Sequence, residues 1–286
     1  MTKILSLLAC IFVMRAGAAE TFVHGLWVWK TPSVLAAPGG EEALRDFCQT
    51  EGINEVYVSI SSRAFEALTA RLPAIIDRLH EAHIRVEALL DSIDADLPGK
   101  PREKLLGQVR EIVHFNSEHP ASRFDGVHLD IEPHQRPENK GPGNLRCLPG
   151  LVETFRAVRA LAESAGMTTN ADLPNKFLKG DAEQRKKLLT SVQRITLMLY
   201  ELNSPTDGKT TAQKIEKLRK LSDHYLELAY ADLSDTDLAK MVVALRTPDY
   251  LELLPEMLHT LDLAHRDQPH YLGWAWHSYN DRVPPK

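Results

Sequence analysis

The sequence alternates between short apolar runs and longer stretches whose apolar residues recur at helical spacing. Such alternation is typical of a parallel sheet whose strands are joined by helical crossovers. Eight of the short runs predict strands, and they lie at His24–Lys30, Glu55–Ile60, Arg85–Asp91, Gly126–Pro133, Thr168–Leu173, Arg194–Leu202, Leu226–Leu233 and Tyr271–Tyr279.

Seven helices are predicted between these strands. They lie at Glu41–Thr50, Pro73–His83, Pro101–Glu118, Leu148–Ala165, Ala182–Val192, Ala212–His224 and Pro248–His265. Only residues 280–286 follow the last strand, so an eighth helix is short or absent. Eight strands and seven crossovers predict a single-domain α/β fold, a (β/α)8 TIM barrel over residues 20–286. An open doubly wound sheet would usually carry a glycine-rich turn after its first strand, whereas Thr31 and Pro32 stand there.

Residues 1–19 are typical of a signal peptide. Lys3 precedes an apolar run from Ile4 to Met14, and small residues precede Glu20. The apolar run is about half the length that spans a bilayer. We therefore expect a secreted or periplasmic protein that does not span the membrane. The residues around Cys10 loosely resemble a lipoprotein box, so a lipid anchor is an alternative.

Charge and cysteine content exclude several classes of protein. Loss of residues 1–19 removes Lys3 and Arg15 and no acid, so the formal charge falls from −5 to −7. A nucleic-acid binder is not expected at this charge. Cys48 and Cys147 are predicted at opposite ends of the barrel, as free buried thiols. No phosphate loop stands out, and we expect neither a cofactor nor a metal.

The candidate catalytic residues lie on the fourth predicted strand. Side chains two apart face the same way in a strand, so His128, Asp130 and Glu132 share one face. The intervening residues are apolar and suit contact with helices, so the polar row should face the barrel interior. Two ionised acids so close together repel each other, and the pKa of one should rise, which a general acid requires. A structural salt-bridge cluster inside the barrel is the alternative.

The segment from Asp125 to Glu132 resembles the Asp-x-x-Asp-x-Asp-x-Glu signature of family-18 glycoside hydrolases, the chitinase-like barrels. The resemblance implies that Glu132 is the proton donor. It also implies that Asp130 orients and stabilises a substrate 2-acetamido group that acts as the internal nucleophile. His128 stands where the signature has its middle Asp. The segment also resembles bacterial exported barrels, often called glycoside-hydrolase-like, that carry Asp-x-Glu-Pro on this strand.

Two further strands resemble the same family. Tyr200 and Glu201 end a run similar to its Met-x-Tyr-Asp, which implies that the Tyr200 hydroxyl binds the acetamido oxygen, with Glu201 in place of Asp. The eighth strand resembles the one that supplies a tryptophan as the floor of the sugar site. Trp276 is the candidate for that floor, and Trp29 or Trp27 on the first strand could also serve.

Other polar residues at strand ends are candidates for substrate binding, and these are Asp91, Asn170, Asp172 and His277. If a protein carboxylate were the nucleophile, Asp172 or Asp232 would have to lie about 5 Å from Glu132. The loop from Gln135 to Asn144 is charged and rich in proline and glycine, so an exposed excursion that contributes specificity is expected.

These patterns predict an exported glycoside-hydrolase-like protein that cleaves or binds a polysaccharide or oligosaccharide. One alternative is a carbohydrate-binding barrel without turnover, because a relay acid of the signature is missing at His128. The other is a metal-dependent hydrolase that uses His128, Asp130 and Glu132, with or without His277. The strand rise from His128 to Glu132 covers about 13 Å, which is awkward for one ion.

Overall fold

The structure is a computed structural model that describes residues 22–60, 65, 68–141, 144–200, 210–234, 237, 239–246 and 252–283. Eight parallel strands follow one another around a closed barrel, and β8 pairs with β1. The strands are β1 Val23–Val28, β2 Glu55–Ser59, β3 Arg85–Ser92, β4 Gly126–Ile131, β5 Thr168–Pro174, β6 Arg194–Met198, β7 Lys240–Arg246 and β8 Tyr271–His277. The predicted (β/α)8 TIM barrel is confirmed.

The described residues form nine α-helices on the outside of this barrel. They are α1 Thr31–Ala36, α2 Gly40–Glu51, α3 Leu72–His80, α4 Lys100–Glu118, α5 Leu148–Ser164, α6 Ala182–Leu189, α7 Thr211–Tyr230, α8 Leu254–His265 and α9 Tyr279–Arg282. Each of the seven predicted helices has a counterpart, α1 was not predicted, and α9 is the expected short final helix. Two 3-10 turns after β4, Pro133–Gln135 and Pro137–Asn139, lead into and begin the predicted excursion.

The seventh strand was predicted at the wrong place. Residues from Leu226 to Tyr230 belong to α7, where the buried Leu218, Tyr225 and Ala229 follow helical spacing. The strand is instead Lys240–Arg246, a run of small and β-branched apolar residues that pairs with β6 and β8. The apolar spacing of Leu226–Leu233 fits a helix as well as a strand, and only the pairing partners decide between them.

The barrel wall separates two apolar clusters. The larger cluster lies between strands and helices and includes Val127, Leu129 and Ile131 of β4. The smaller cluster lies inside the barrel, and its members are Val23, Trp27, Tyr57, Leu89, Met198, Val242, Ala244, Leu272 and Ala275. Cys48 and Cys147 are free and buried, as predicted. In the part of the chain that the structure describes, every helix is too short or too polar to cross a membrane.

Candidate active site

The polar row of β4 faces the barrel interior. Val127, Leu129 and Ile131 pack outward against helices, which leaves His128, Asp130 and Glu132 on the inner side. Glu132 follows the last residue of the strand, and its backbone N–H donates to the carbonyl oxygen of Ser92 at 2.8 Å. The row therefore rises from a buried histidine to an acid at the carboxyl end of the barrel, where active sites of this fold lie.

A cavity of about 310 Å³ opens at this end of the barrel. Its walls are Trp29, Asp91, Ser92, Ile93, Asp130, Glu132, Gln135 and His277. Five residues predicted from the sequence, on four different strands, thus meet around one space. A larger depression is lined by residues of one helix, α7, and they are Ala212, Gln213, Glu216, Lys217 and Lys220.

The two acids of the row have raised pKa values. Burial, followed by the charges of Asp172 and Glu132, raises the pKa of Asp130 well above its usual range. Burial and the charges of Asp172 and Asp91 raise the pKa of Glu132 as well. The Asp130 atom Oδ1 is buried and has no hydrogen-bond partner among the described residues. Both carboxyls are therefore biased toward the protonated form in which an acid can donate.

The carboxyl of Glu132 has two close side-chain neighbours. The Gln135 amide donates a short hydrogen bond to Oε2, and His134 Nε2 lies 3.6 Å from Oε1. Burial and the charge of Lys176 lower the pKa of His134 to about 4. His134 is therefore neutral near pH 7 and does not supply a positive charge that would keep Glu132 ionised.

His128 lies fully buried beneath the acids. Its Nε2 is 2.8 Å from Asp172 Oδ1, its Nδ1 is 3.2 Å from Glu87 Oε2, and the Tyr57 ring stacks on it at 3.8 Å. Burial alone would lower the pKa of His128, but the carboxylates of Asp172 and Glu87 raise it to about 10. The ring is therefore an imidazolium whose two N–H groups both donate. It has no lone pair for a metal, which weakens the metal-hydrolase alternative.

A second layer of charges lies deeper in the barrel. Arg194 donates to both carboxylate oxygens of Glu55 at 2.9 Å and to Glu87 at 2.7 Å. Asn170 accepts from Arg194 at 2.9 Å and donates to Glu87, so it belongs to this layer and not to the cavity. The salt-bridge interpretation thus describes the lower interior, whereas Asp130 and Glu132 line open space above it.

Two aromatic groups near the mouth carry unpaired polar atoms. The Tyr200 hydroxyl is buried without a partner among the described residues, and burial raises its pKa. The indole N–H of Trp29 donates to His277 Nε2 at 2.8 Å. Because burial lowers the pKa of His277, its neutral ring carries the proton on Nδ1, which also has no described partner. Tyr200 and His277 lie with ring centroids 5.6 Å apart.

The structure places several predicted residues away from the cavity. Trp276 is 2% exposed and packs between barrel and helices, stacked on Trp274, so its ring is not a floor for sugar. Asp172 is buried, and its oxygens accept from His128 and from Trp27 Nε1 at 3.1 Å. Asp232 follows α7 instead of a strand and pairs with Arg185. Glu201 lies outside the described residues.

Sequence reasoning named no role for the cavity residues Ser92 and Ile93, and it included Gln135 only as the first residue of the loop expected to contribute specificity. Ser92 ends β3 and Ile93 follows it directly, so their position at an inward strand end was a usable signal. Sequence reasoning also missed the buried charged residues deeper in the barrel. Glu55 and Glu87 stand alone among apolar strand residues, and an inward charge in such a strand requires a partner such as Arg194.

No protein-family model matches the sequence, and a search of curated proteins returns no match. Solved structures share the fold. A chitinase from Bacteroides thetaiotaomicron is 12% identical, with a TM-score of 0.56 over 90% of this chain and 89% of that chain. The PgaB (BpsB) glycoside hydrolase domain from Bordetella bronchiseptica is 10% identical, with a TM-score of 0.55 over 92% and 96%.

A chitinase from Chromobacterium violaceum is 11% identical, with a TM-score of 0.50 over 79% of this chain and 69% of that chain. At these identities the likeness establishes a common fold. The structural neighbours are chitinase-like glycoside hydrolases, as the resemblance on β4 implied. The shared fold does not test the departure from the signature at His128.

Proposed function

We propose, from the premise that this chain has the barrel fold of chitinase-like glycoside hydrolases, that it cleaves a glycosidic bond with Glu132 as general acid. The observation that carries the proposal is the position of Glu132 and Asp130. Both line a cavity at the carboxyl end of the strands, and both have raised pKa values. A carboxyl that holds its proton toward neutral pH can donate it to a leaving oxygen.

The proposed reaction uses the substrate as its own nucleophile. Glu132 protonates the glycosidic oxygen as the bond to the anomeric carbon breaks, and the oxygen of the 2-acetamido group closes onto that carbon. The Tyr200 hydroxyl donates to that acetamido oxygen, and Asp130 holds the acetamido N–H. Water then attacks the anomeric carbon and opens the five-membered ring that the acetamido oxygen had formed, while the sugar ring stays closed. The Glu132 carboxylate takes the proton from this water. Each step transfers one proton, and Glu132 ends as it began.

The substrate acetamide is favoured over a protein nucleophile because the two acids considered for that role are occupied. Asp172 is 2% exposed and accepts hydrogen bonds on both oxygens, from His128 and Trp27. Asp232 follows α7 and is paired with Arg185. An acetamido sugar in an oligosaccharide or polysaccharide is therefore the proposed substrate class. Export, by the leader at residues 1–19, is part of the proposal.

The test is turnover by Glu132→Gln on chitin-type, peptidoglycan and galactosamine-type oligomers. Loss of the acid should reduce kcat about 10²–10⁴-fold while oligomer binding persists. Glu138→Gln is the matched control, since Glu138 is an exposed acid in the same loop and pairs with Arg136. Undiminished cleavage by Glu132→Gln would rule out the assigned acid.

A carbohydrate-binding barrel is the second candidate function, and His128 is the observation that favours it. An imidazolium held by two carboxylates replaces the middle acid of the signature that the β4 segment resembles. If the wild-type protein binds the oligomers with the same affinity as Glu132→Gln and cleaves none of them, this second function replaces the first.

A further inference from the structure

Ile93 is an exposed apolar side chain at the rim of the cavity. It follows β3 directly, half of its surface is exposed, and it lines the same space as Asp130 and Glu132. Single exposed apolar residues are ordinary on protein surfaces. This one differs because it lies in the candidate active site and because its backbone is held there.

The loop that carries Ile93 is tied to the loop after β4. Arg136 Nη1 donates to the carbonyl oxygen of Ile93 at 2.9 Å, and Nη2 donates to Asp96 Oδ2 at 2.8 Å. Asp96 is buried, and Arg136 is nearly so. A guanidinium that bridges a carbonyl and a carboxylate in this way fixes geometry as well as adding energy.

Further contacts with β3 and α5 hold the loop that carries Ile93. Ala95 N–H donates to Ser92 Oγ at 3.0 Å, and Thr154 Oγ1 on α5 donates to the carbonyl oxygen of Ala95 at 2.7 Å. Gly150 of α5 lies so close that a Cβ there would stand 2.2 Å from the carbonyl oxygen of Asp96. The position of Ile93 is therefore fixed by β3, α5 and the β4 loop together.

The walls of the cavity match the two-sided chemistry of a sugar. Ile93 and the Trp29 ring provide apolar surface, and Asp130, Glu132 and Gln135 provide polar groups. A sugar ring presents aliphatic C–H groups as well as hydroxyls, and pockets for such ligands combine apolar walls with a few placed polar groups. An apolar wall that is already ordered costs little entropy on binding.

We propose that Ile93 is a substrate-binding residue whose side chain packs against aliphatic C–H surface of a sugar unit. That surface is either the C–H face of the ring or the methyl of an acetamido group. The inference rests on the proposed function. It assigns Ile93 as an apolar contact for the substrate that Glu132 would cleave.

The experiment measures binding in the Glu132→Gln protein, which does not depend on turnover. The probes are N-acetylated chitotetraose and the same tetramer without its acetyl groups, titrated by calorimetry. Ile93→Ser should raise the Kd for the acetylated tetramer about fivefold, as loss of half of an isoleucine contact implies. Leu97→Ser is the matched control, because Leu97 is equally apolar, 41% exposed and in the same loop but not in the cavity wall. It should leave Kd unchanged.

The outcomes separate the two sources of C–H surface. A loss confined to the acetylated tetramer assigns the acetamido methyl, and an equal loss on both tetramers assigns the ring face. An unchanged Kd for Ile93→Ser, an equal loss in Leu97→Ser, or no binding of either tetramer overturns the inference. Cleavage that survives Glu132→Gln overturns the proposed function instead, so the two failures are distinguishable.

Discussion

Among single residues, His128 sets the charge at the centre of the barrel, at the position where the signature that the β4 segment resembles has an acid. Glu87 and Asp172 lie on either side of the ring and would repel a third carboxylate in that position. An imidazolium instead pairs with both of them. Asp130 and Glu132 lie above this cation, which separates them from the charges deeper in the barrel. The cation lowers the pKa of Asp130, but burial raises that pKa by more.

His128 should be doubly protonated at pH 8. Its pKa in the folded protein is about 10, above the ordinary value of 6.5, because Asp172 and Glu87 favour the cation more than burial disfavours it. The stabilisation that follows is fully present below about pH 6.5 and is lost as pH rises toward 10. Nitrogen-15 NMR of the imidazole at pH 8 checks the protonation directly.

Denaturant unfolding at pH 6, 8 and 10 checks the energetic consequence. The free energy of unfolding should fall more steeply with pH in the wild type than in His128→Gln, which lacks the titrating group. A neutral His128 ring at pH 8, or parallel pH dependences in the two proteins, would contradict the assignment.

At the scale of elements, β8 decides which aromatic reaches the site. Its pairing with β7 contains a register shift in which Met241 and Val242 oppose Tyr271 and Gly273, so β8 has one extra residue. A bulge reverses which face the following side chains occupy. Trp274 and Trp276 therefore point outward to the helices, and His277 takes the inward position at the strand end.

Gly273 is required at this bulge. Its φ is +139°, and a Cβ there would stand 2.0 Å from the backbone oxygen of Val23 on β1, the strand that closes the barrel. Gly273→Ala should lower the free energy of unfolding by about 2–4 kcal/mol, because backbone strain and overpacking act together. Denaturant unfolding measures this change.

Gly107→Ala is the matched control for Gly273→Ala. Gly107 lies within α4, and a Cβ there meets nothing within 4 Å. This substitution should raise the free energy of unfolding by about 0.5–1 kcal/mol, the helix preference for alanine over glycine. Equal effects of the two substitutions would show that Gly273 is not constrained by β1.

At the scale of the whole molecule, buried charges connect strands that are distant in sequence. Arg194 of β6 pairs with Glu55 of β2 and Glu87 of β3, across the interior of the barrel. Arg85 adds a bond to Glu55 at 3.1 Å. These pairs join three strands, β2, β3 and β6, through their side chains, in addition to the hydrogen bonds between neighbouring strands.

Arg194→Met should destabilise the barrel by about 3–5 kcal/mol, because it leaves Glu55 and Glu87 buried without their main cation. Lys187→Met is the control, since Lys187 pairs with Glu183 on the exposed face of α6 and should contribute less than about 0.5 kcal/mol. Thermal and denaturant unfolding compare the two. A loss in Arg194→Met as small as that in Lys187→Met would show that the network is not needed for stability.

The barrel and the position of the acid at its mouth were predictable from the sequence, because both follow from local periods. Alternating strands and helices specify the (β/α)8 order, and the two-residue period of β4 puts Asp130 and Glu132 on the inner face. Such periods depend only on the covalent geometry of neighbouring residues. A wrong seventh strand did not disturb this result, since the count of strands was preserved.

The tertiary structure alone decided what each side chain meets. The bulge at Gly273 turned Trp276 outward, the pairing of β6 with β5 and β7 fixed the true seventh strand, and the Arg136 contacts placed Ile93 at the cavity. The partners of His128 also come from other strands. These outcomes depend on contacts between residues far apart in the chain, which no local period encodes.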